Sequence, residues 1–90
     1  MRENPLVSIV ILNYNGRYLL PACIDSVVAQ SYKELEIIFV DNGSGDGSAG
    51  FVKSNYPGVK VLENGSNLGY AIAANQGIEA SRGDFIVILN

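Results

Sequence analysis

Three polar clusters interrupt an otherwise apolar chain: Asn13-Tyr14-Asn15-Gly16, the stretch from Asp41 to Ser48, and the stretch from Asn64 to Gly69. Together they offer amides, hydroxyls, backbone N–H groups and two carboxylates, Asp41 and Asp46, but no lysine. The chain contains no histidine, so the commonest general base and metal ligand is missing. What remains suits recognition of a planar, polar ligand, which needs an aromatic or apolar slot and one or two polar readers. Tyr14 and Asp41 can supply both.

Each cluster follows a short apolar run. Leu6 to Leu12 is nearly continuous aliphatic sequence, the pattern of a central parallel strand covered on both faces. Leu35 to Val40 reads as a second strand with Asp41 at its exit, Val59 to Leu62 as a short third, and Asp84 to Leu89 as a buried fourth that delivers Asn90 to its end. Between them lie helical patterns. Leu19, Leu20, Cys23, Ile24, Val27 and Val28 form one stripe, with Pro21 near the first turn. Ser48 to Tyr56 is a short helix weakened by Gly50. The Ala-rich helix from Tyr70 to Ser81 is followed by Arg82 and Gly83, a cation and a glycine placed for a C-terminal cap.

The order β-α-β-α-β-α-β with short links predicts one doubly wound α/β domain over residues 1–90, with a parallel sheet between helical layers. All three polar clusters then share the rim at the carboxyl ends of the strands, where open α/β sheets bind ligands. Familiar nucleotide motifs are missing from that rim. A dinucleotide fold needs spaced glycines after its first strand, and this turn has only Gly16, preceded by bulky Tyr14. A phosphate-cradling loop with its lysine is absent, and a receiver module would place acids where Asn13 stands.

Composition narrows the class. An apolar fraction of 48% and a charged fraction of 17% describe a globular chain. A net charge of −3 with scattered Arg2, Arg17, Lys33, Lys53, Lys60 and Arg82 excludes the basic footprint of a nucleic-acid binder. One cysteine, Cys23, fits a reduced compartment, and MRENPLVSIVIL lacks the features of a signal peptide. The chain is expected to be cytoplasmic, with peripheral contact at the inner face of the membrane left open.

SIVILNYNG, EIIFVDNGSGDGS, NLGYAIAANQGI and GDFIVILN, in this order and spacing, resemble the N-terminal nucleotide-binding half of family-2 glycosyltransferases. The resemblance covers nearly the whole chain. It implies a Rossmann-like three-layer α/β/α arrangement, part of a GT-A fold, with strand order 3-2-1-4. It also implies a UDP- or dTDP-sugar donor at the rim, and a saccharide or lipid-linked acceptor for the parent enzyme. Carried over by position, Asn13, Tyr14 and Asn15 line the base and ribose pocket, and Asp41 accepts the imide N–H of the base. Asn42, Gly43 and Ser44 continue that wall, Asn67 and Gly69 open the third helix beside the donor, and Ala73 and Asn75 lie within it. Gly69 and the small residues Ala71, Ala73 and Ala74 would let a ligand approach the positive end of the helix dipole.

The same resemblance places the start of a metal-binding acidic motif at Asn90, with its carboxylate beyond. A divalent cation, Mg²⁺ or Mn²⁺, belongs to the intact enzyme and is not expected on residues 1–90. Nor is any catalytic residue assigned here, and the 90-residue chain by itself is expected to be inactive. Ala74 stands where many members carry Arg, which resembles the rhamnosyltransferase-type subgroup; Gly45 stands where the family usually has Thr. Ordinary roles compete at several positions. Asp41-Asn42-Gly43 is also turn chemistry, Asp46 a helix cap, and Asn75 a satisfied interior amide. Cys23 reads as a buried thiol, and Tyr18, Tyr32 and Tyr70 as packing residues. The alternative function is a non-catalytic nucleotide-binding module, or one that self-associates through an exposed sheet edge.

Overall fold

The computed structural model describes residues 4–90. Arg2, one of the six basic residues, lies outside them. Four strands, β1 (Val7–Asn13), β2 (Leu35–Asp41), β3 (Lys60–Glu63) and β4 (Phe85–Leu89), alternate with three α-helices, α1 (Leu20–Val28), α2 (Ser48–Asn55) and α3 (Tyr70–Ala80). Pro21 falls in the first turn of α1, where its missing N–H costs nothing. The strands form one parallel sheet in the order β3-β2-β1-β4.

Side chains alternate between the two faces, as the period of a strand requires. Ile11 and Phe39 pack with Leu20 and Ile24 of α1 and Val52 of α2 on one face. Val10, Leu12, Ile38 and Val40 pack with Ala73 and Ala74 of α3 on the other. The small residues of α3 are needed for close approach: a Cβ on Gly77 would stand 2.3 Å from Val10 Cγ1. This tight seat on β1 carries the N-terminus of α3 up to the rim.

Three sequence expectations are corrected. The α1 stripe is narrower than its apolar residues: Leu20, Ile24 and Val27 are buried, Cys23 is only half-buried, and Leu19 and Val28 are exposed. β4 has the composition of a buried strand, yet no residue of it is buried, and Phe85, Ile86 and Val87 are exposed. Its place at the sheet edge, paired only with β1, explains this.

The third correction concerns the end of α3. The helix stops at Ala80 and passes into extended Ser81, with no left-handed glycine cap. Arg82 and Gly83 are instead held by tertiary contacts at the amino end of the sheet. Arg82 N–H donates to Glu36 Oε2 at 2.7 Å, and Gly83 N–H donates to the fully buried Ser8 hydroxyl at 2.9 Å. A Cβ on Gly83 would meet Ser8 Oγ at 2.4 Å, so close approach accounts for the glycine.

Candidate functional site

The last aligned pair of β1 and β2 is Asn13 opposite Asp41, so the register brings two polar side chains together where both strands end. Both are buried. Asn13 Nδ2 donates to Asp41 Oδ1 at 3.0 Å and to Ser44 Oγ at 3.2 Å. Ser44 returns two bonds to the same carboxylate: its hydroxyl to Oδ1 at 2.7 Å and its N–H to Oδ2 at 3.0 Å. Asn15 N–H donates to Ser44 Oγ at 2.8 Å, which uses the hydroxyl's one donor and both lone pairs. The Asp41 charge is thus spread over three donors without a cation.

The first loop is stitched to the second at two further points. Asn15 adopts φ 55°, a left-handed conformation that asparagine tolerates better than most residues, and its Oδ1 accepts Gly45 N–H at 2.8 Å. Arg17 N–H donates to Asp46 Oδ2 at 3.0 Å, while Asp46 Oδ1 accepts the N–H and hydroxyl of Ser48. The Ser48 hydroxyl above all holds the Asp46 carboxyl below its ordinary pKa; burial pushes the other way, and these N–H groups help to outweigh it. Asp46 thereby caps α2 from the position before its N-cap, Gly47.

The third loop, Asn64 to Gly69, docks on the second through Asn42. This side chain accepts from Leu68 N–H at 3.0 Å and Asn64 Nδ2 at 3.1 Å, and donates to Asn67 Oδ1 at 3.0 Å and the Gly69 carbonyl at 3.2 Å. Asn64 and Gln76 exchange reciprocal amide bonds of 2.8 and 2.9 Å, tying the loop to α3. Asn67 Oδ1 also accepts Gly69 N–H at 2.9 Å. Gly69, at φ 88°, then turns the chain into α3.

Between these loops lies a cleft of about 190 Å³. Leu12 and Ala73 supply its apolar surface; Asn13, Asn42 and Asn67 supply amides, Tyr14 and Tyr70 aromatic rings, and Asn90 its edge by β4. The two tyrosines are 54% and 56% exposed, so their faces are available to a flat ligand. The cleft is smaller than the roughly 300–1,000 Å³ of pockets that enclose a whole drug-sized ligand. Its size suits a planar ring and its immediate attachments.

Five residues singled out from sequence line the cleft: Asn13, Tyr14, Asn42, Asn67 and Ala73. Asn15, Gly43, Ser44 and Gly69 frame it through loop contacts. Asp41 stands behind the wall, buried under its hydrogen bonds. Asn75 is exposed and about 200° around α3 from Ala73, outside the cleft and not an interior amide. Tyr70, expected to pack, instead lines the cleft; its spacing of three from Ala73 places both on one helix face. Gln76 carries no sequence signal, and Leu12 and Asn64 read only as the end of an apolar strand and the start of a polar loop, because their roles depend on which loops meet.

The rim does not fit a divalent ion by itself. Asp41 and Asp46 each accept three hydrogen bonds, Asn90 is neutral, and no three acidic, thiol or imidazole groups converge among the described residues. No helix among them is long and apolar enough to cross a membrane.

The sequence model described as Glycosyl transferase family 2 matches residues 8–90. Similar proteins include the "Uncharacterized glycosyltransferase YibD" of Escherichia coli K12, 32% identical over 93 residues, covering 100% of this chain and 27% of that protein. Glycosyltransferase GlyG of Streptococcus pneumoniae is 37% identical over 91 residues, covering 94% of this chain and 29% of its own length. Among solved structures, the mannosyltransferase PcManGT of Pyrobaculum calidifontis, in complex with GDP-Man and Mn²⁺, superposes with a TM-score of 0.85 at 26% identity. That match covers 92% of this chain and 26% of the other. Staphylococcus aureus TarS 1–349 shares the fold at a TM-score of 0.85 and 21% identity, over 93% of this chain and 26% of its own. The chain therefore spans between a quarter and a third of the length of these relatives.

Proposed function

The chain belongs to glycosyl transferase family 2, and on that premise we propose that its rim cleft holds the nucleotide of a sugar-nucleotide donor. The observation that carries this is the position of the cleft. It lies outside the carboxyl ends of β1 and β4, between Asn13 and Asn90, where the strand order β3-β2-β1-β4 reverses direction. Such a switch point is where open α/β sheets bind nucleotides. The parent enzyme transfers the sugar to a saccharide or lipid-linked acceptor, in the cytoplasm and at the inner face of the membrane.

In this proposal the base lies between Tyr14 and Tyr70, with the amides of Asn13 and Asn67 at its edges. Asp41 has about four acceptor positions, of which three are used. The fourth, on Oδ2, is assigned to the imide N–H of uracil or thymine, whose edge must pass the lining amides of Asn13 and Asn42 because Asp41 itself does not line the cleft. Guanine presents a comparable N–H, and a structural relative holds GDP-Man. That relative also holds Mn²⁺, which supports a divalent cation in the parent enzyme. Since no three acidic, thiol or imidazole groups converge among the described residues, residues 1–90 are not expected to bind the ion or to catalyse transfer alone.

Titration of the chain with UDP, dTDP and GDP, followed by amide chemical shifts, tests the site. Shifts should concentrate on Tyr14, Asn67 and Tyr70. Binding by none of the three, or shifts confined to the Glu36–Arg82 end of the sheet, would refute it. A second reading, a self-associating α/β module, is favoured by the exposed Phe85, Ile86 and Val87 on edge strand β4. Sedimentation separates the two, because a strictly monomeric chain that binds nucleotide removes the second.

A further inference from the structure

Asn42 lines the cleft, and its position among the site residues suggests that it touches the ligand. Its hydrogen bonds say otherwise. A primary amide has two donor hydrogens and two acceptor lone pairs. Asn42 spends all four on the third loop, with Asn64, Asn67, Leu68 and Gly69 as partners. Two of those partners are backbone groups, the Leu68 N–H and the Gly69 carbonyl, so the orientation of the amide is fixed and cannot be reversed to suit a ligand. The residue is 7% exposed, and its side chain has no polar capacity left to offer a nucleotide.

We infer that Asn42 is a positioning residue: it latches the Asn64–Gly69 loop to the exit of β2 and so presets Asn67 and Tyr70 for the nucleotide. Asn67 Oδ1 is held between Asn42 Nδ2 and Gly69 N–H, and the next residue, Tyr70, begins α3 at the cleft. Asn64 completes the latch from the far side. It donates one N–H each to Asn42 and Gln76, yet it does not line the cleft. Only an amide of this length fits. Aspartate would set a second carboxylate oxygen against the Gly69 carbonyl and Asn67 Oδ1, with no hydrogen to share.

The inference rests on the cleft taking a nucleotide, and the test separates the two ideas. The affinity of the full chain for the tightest-bound of UDP, dTDP and GDP is measured with hydrogen exchange at Leu68 N–H, well below the thermal midpoint. Asn42→Asp and Asn64→Ala are each expected to raise Kd about tenfold and to speed Leu68 exchange. The double variant should be little worse than either alone, because both changes open one latch. Faster Leu68 exchange with unchanged Kd in Asn64→Ala overturns the latch as a determinant of binding while leaving the nucleotide site standing. So does a loss of affinity in Asn42→Asp that Asn64→Ala does not share, since that marks Asn42 as a direct contact. If the unmodified chain binds none of the three nucleotides, the nucleotide site itself is refuted and the latch's role in binding with it.

Discussion

Gly43 lies against the backbone of Ser66 so closely that a Cβ on Gly43 would stand 2.5 Å from the Ser66 carbonyl carbon and 2.6 Å from its Cα. Gly43 also has φ 81°, where side chains are strained. Two independent penalties therefore oppose any other residue there. Gly43→Ala should cost at least about 2 kcal/mol, from left-handed strain of roughly 1–2 and overpacking of about 1–3. Urea unfolding with an unchanged m-value checks it, and a midpoint equal to that of the parent chain would contradict the contact.

At the opposite end of the sheet, Glu36 joins β2 to the link before β4. Burial pushes its carboxyl up, but the Arg82 N–H, the Ser8 hydroxyl and the Arg82 guanidinium together outweigh it and hold the pKa below the ordinary 4.5. A depressed carboxyl stabilises the fold above the unfolded-state value, and that contribution is lost as pH falls through the lower folded-state value. Glu36→Gln should therefore destabilise the chain at pH 7 by about 1–3 kcal/mol. The gap in thermal midpoint should narrow below pH 4.5, the ordinary glutamate value. A gap that stays constant from pH 7 to pH 3 would show that the charge is not what matters.

The layered sheet was legible in the sequence because strands covered on both faces are continuous apolar runs, and β1 and β2 are of that kind. β4 has the same composition but sits at the edge, and composition cannot reveal whether a strand's neighbours are present. Arg82-Gly83 matched a capping pattern, yet Ser8 and Glu36, more than 45 positions earlier, determine their conformation. The location of Asp41 and Asn42 at the rim could be read from strand ends. Their hydrogen-bond partners could not, because those depend on three loops meeting in space.

Tyr70 is the residue for which structure most changes the expectation. It is 56% exposed at the cleft, so Tyr70→Leu should alter stability by no more than about 0.5 kcal/mol. Stacking of a base on an aromatic side chain is worth about 1–3 kcal/mol, so nucleotide affinity should fall roughly 5- to 150-fold. Tyr18, 80% exposed and outside the cleft, provides the comparison: Tyr18→Leu should leave affinity unchanged. Equal affinities for the Tyr18 and Tyr70 variants in a calorimetric titration would remove Tyr70 from the site.

Asp41 raises a harder question, since its carboxylate already supports the fold through Asn13 and Ser44. Truncation would confuse collapse of the loop with loss of a reader. Asp41→Asn keeps the shape but turns one acceptor into a donor, which leaves donors facing each other and costs about 1–3 kcal/mol of stability. Affinity alone then cannot assign the role, whereas selectivity can. If the spare position on Oδ2 takes the imide N–H, the parent chain should prefer UDP over N3-methyl-UDP by about tenfold or more, because the methylated base has no hydrogen to give and leaves a buried acceptor unpaired. Asp41→Asn should bind both weakly and about equally. A parent chain that binds the two nucleotides alike would confine Asp41 to holding the first two loops together, and the reading of the base would pass to Asn13 and Asn67.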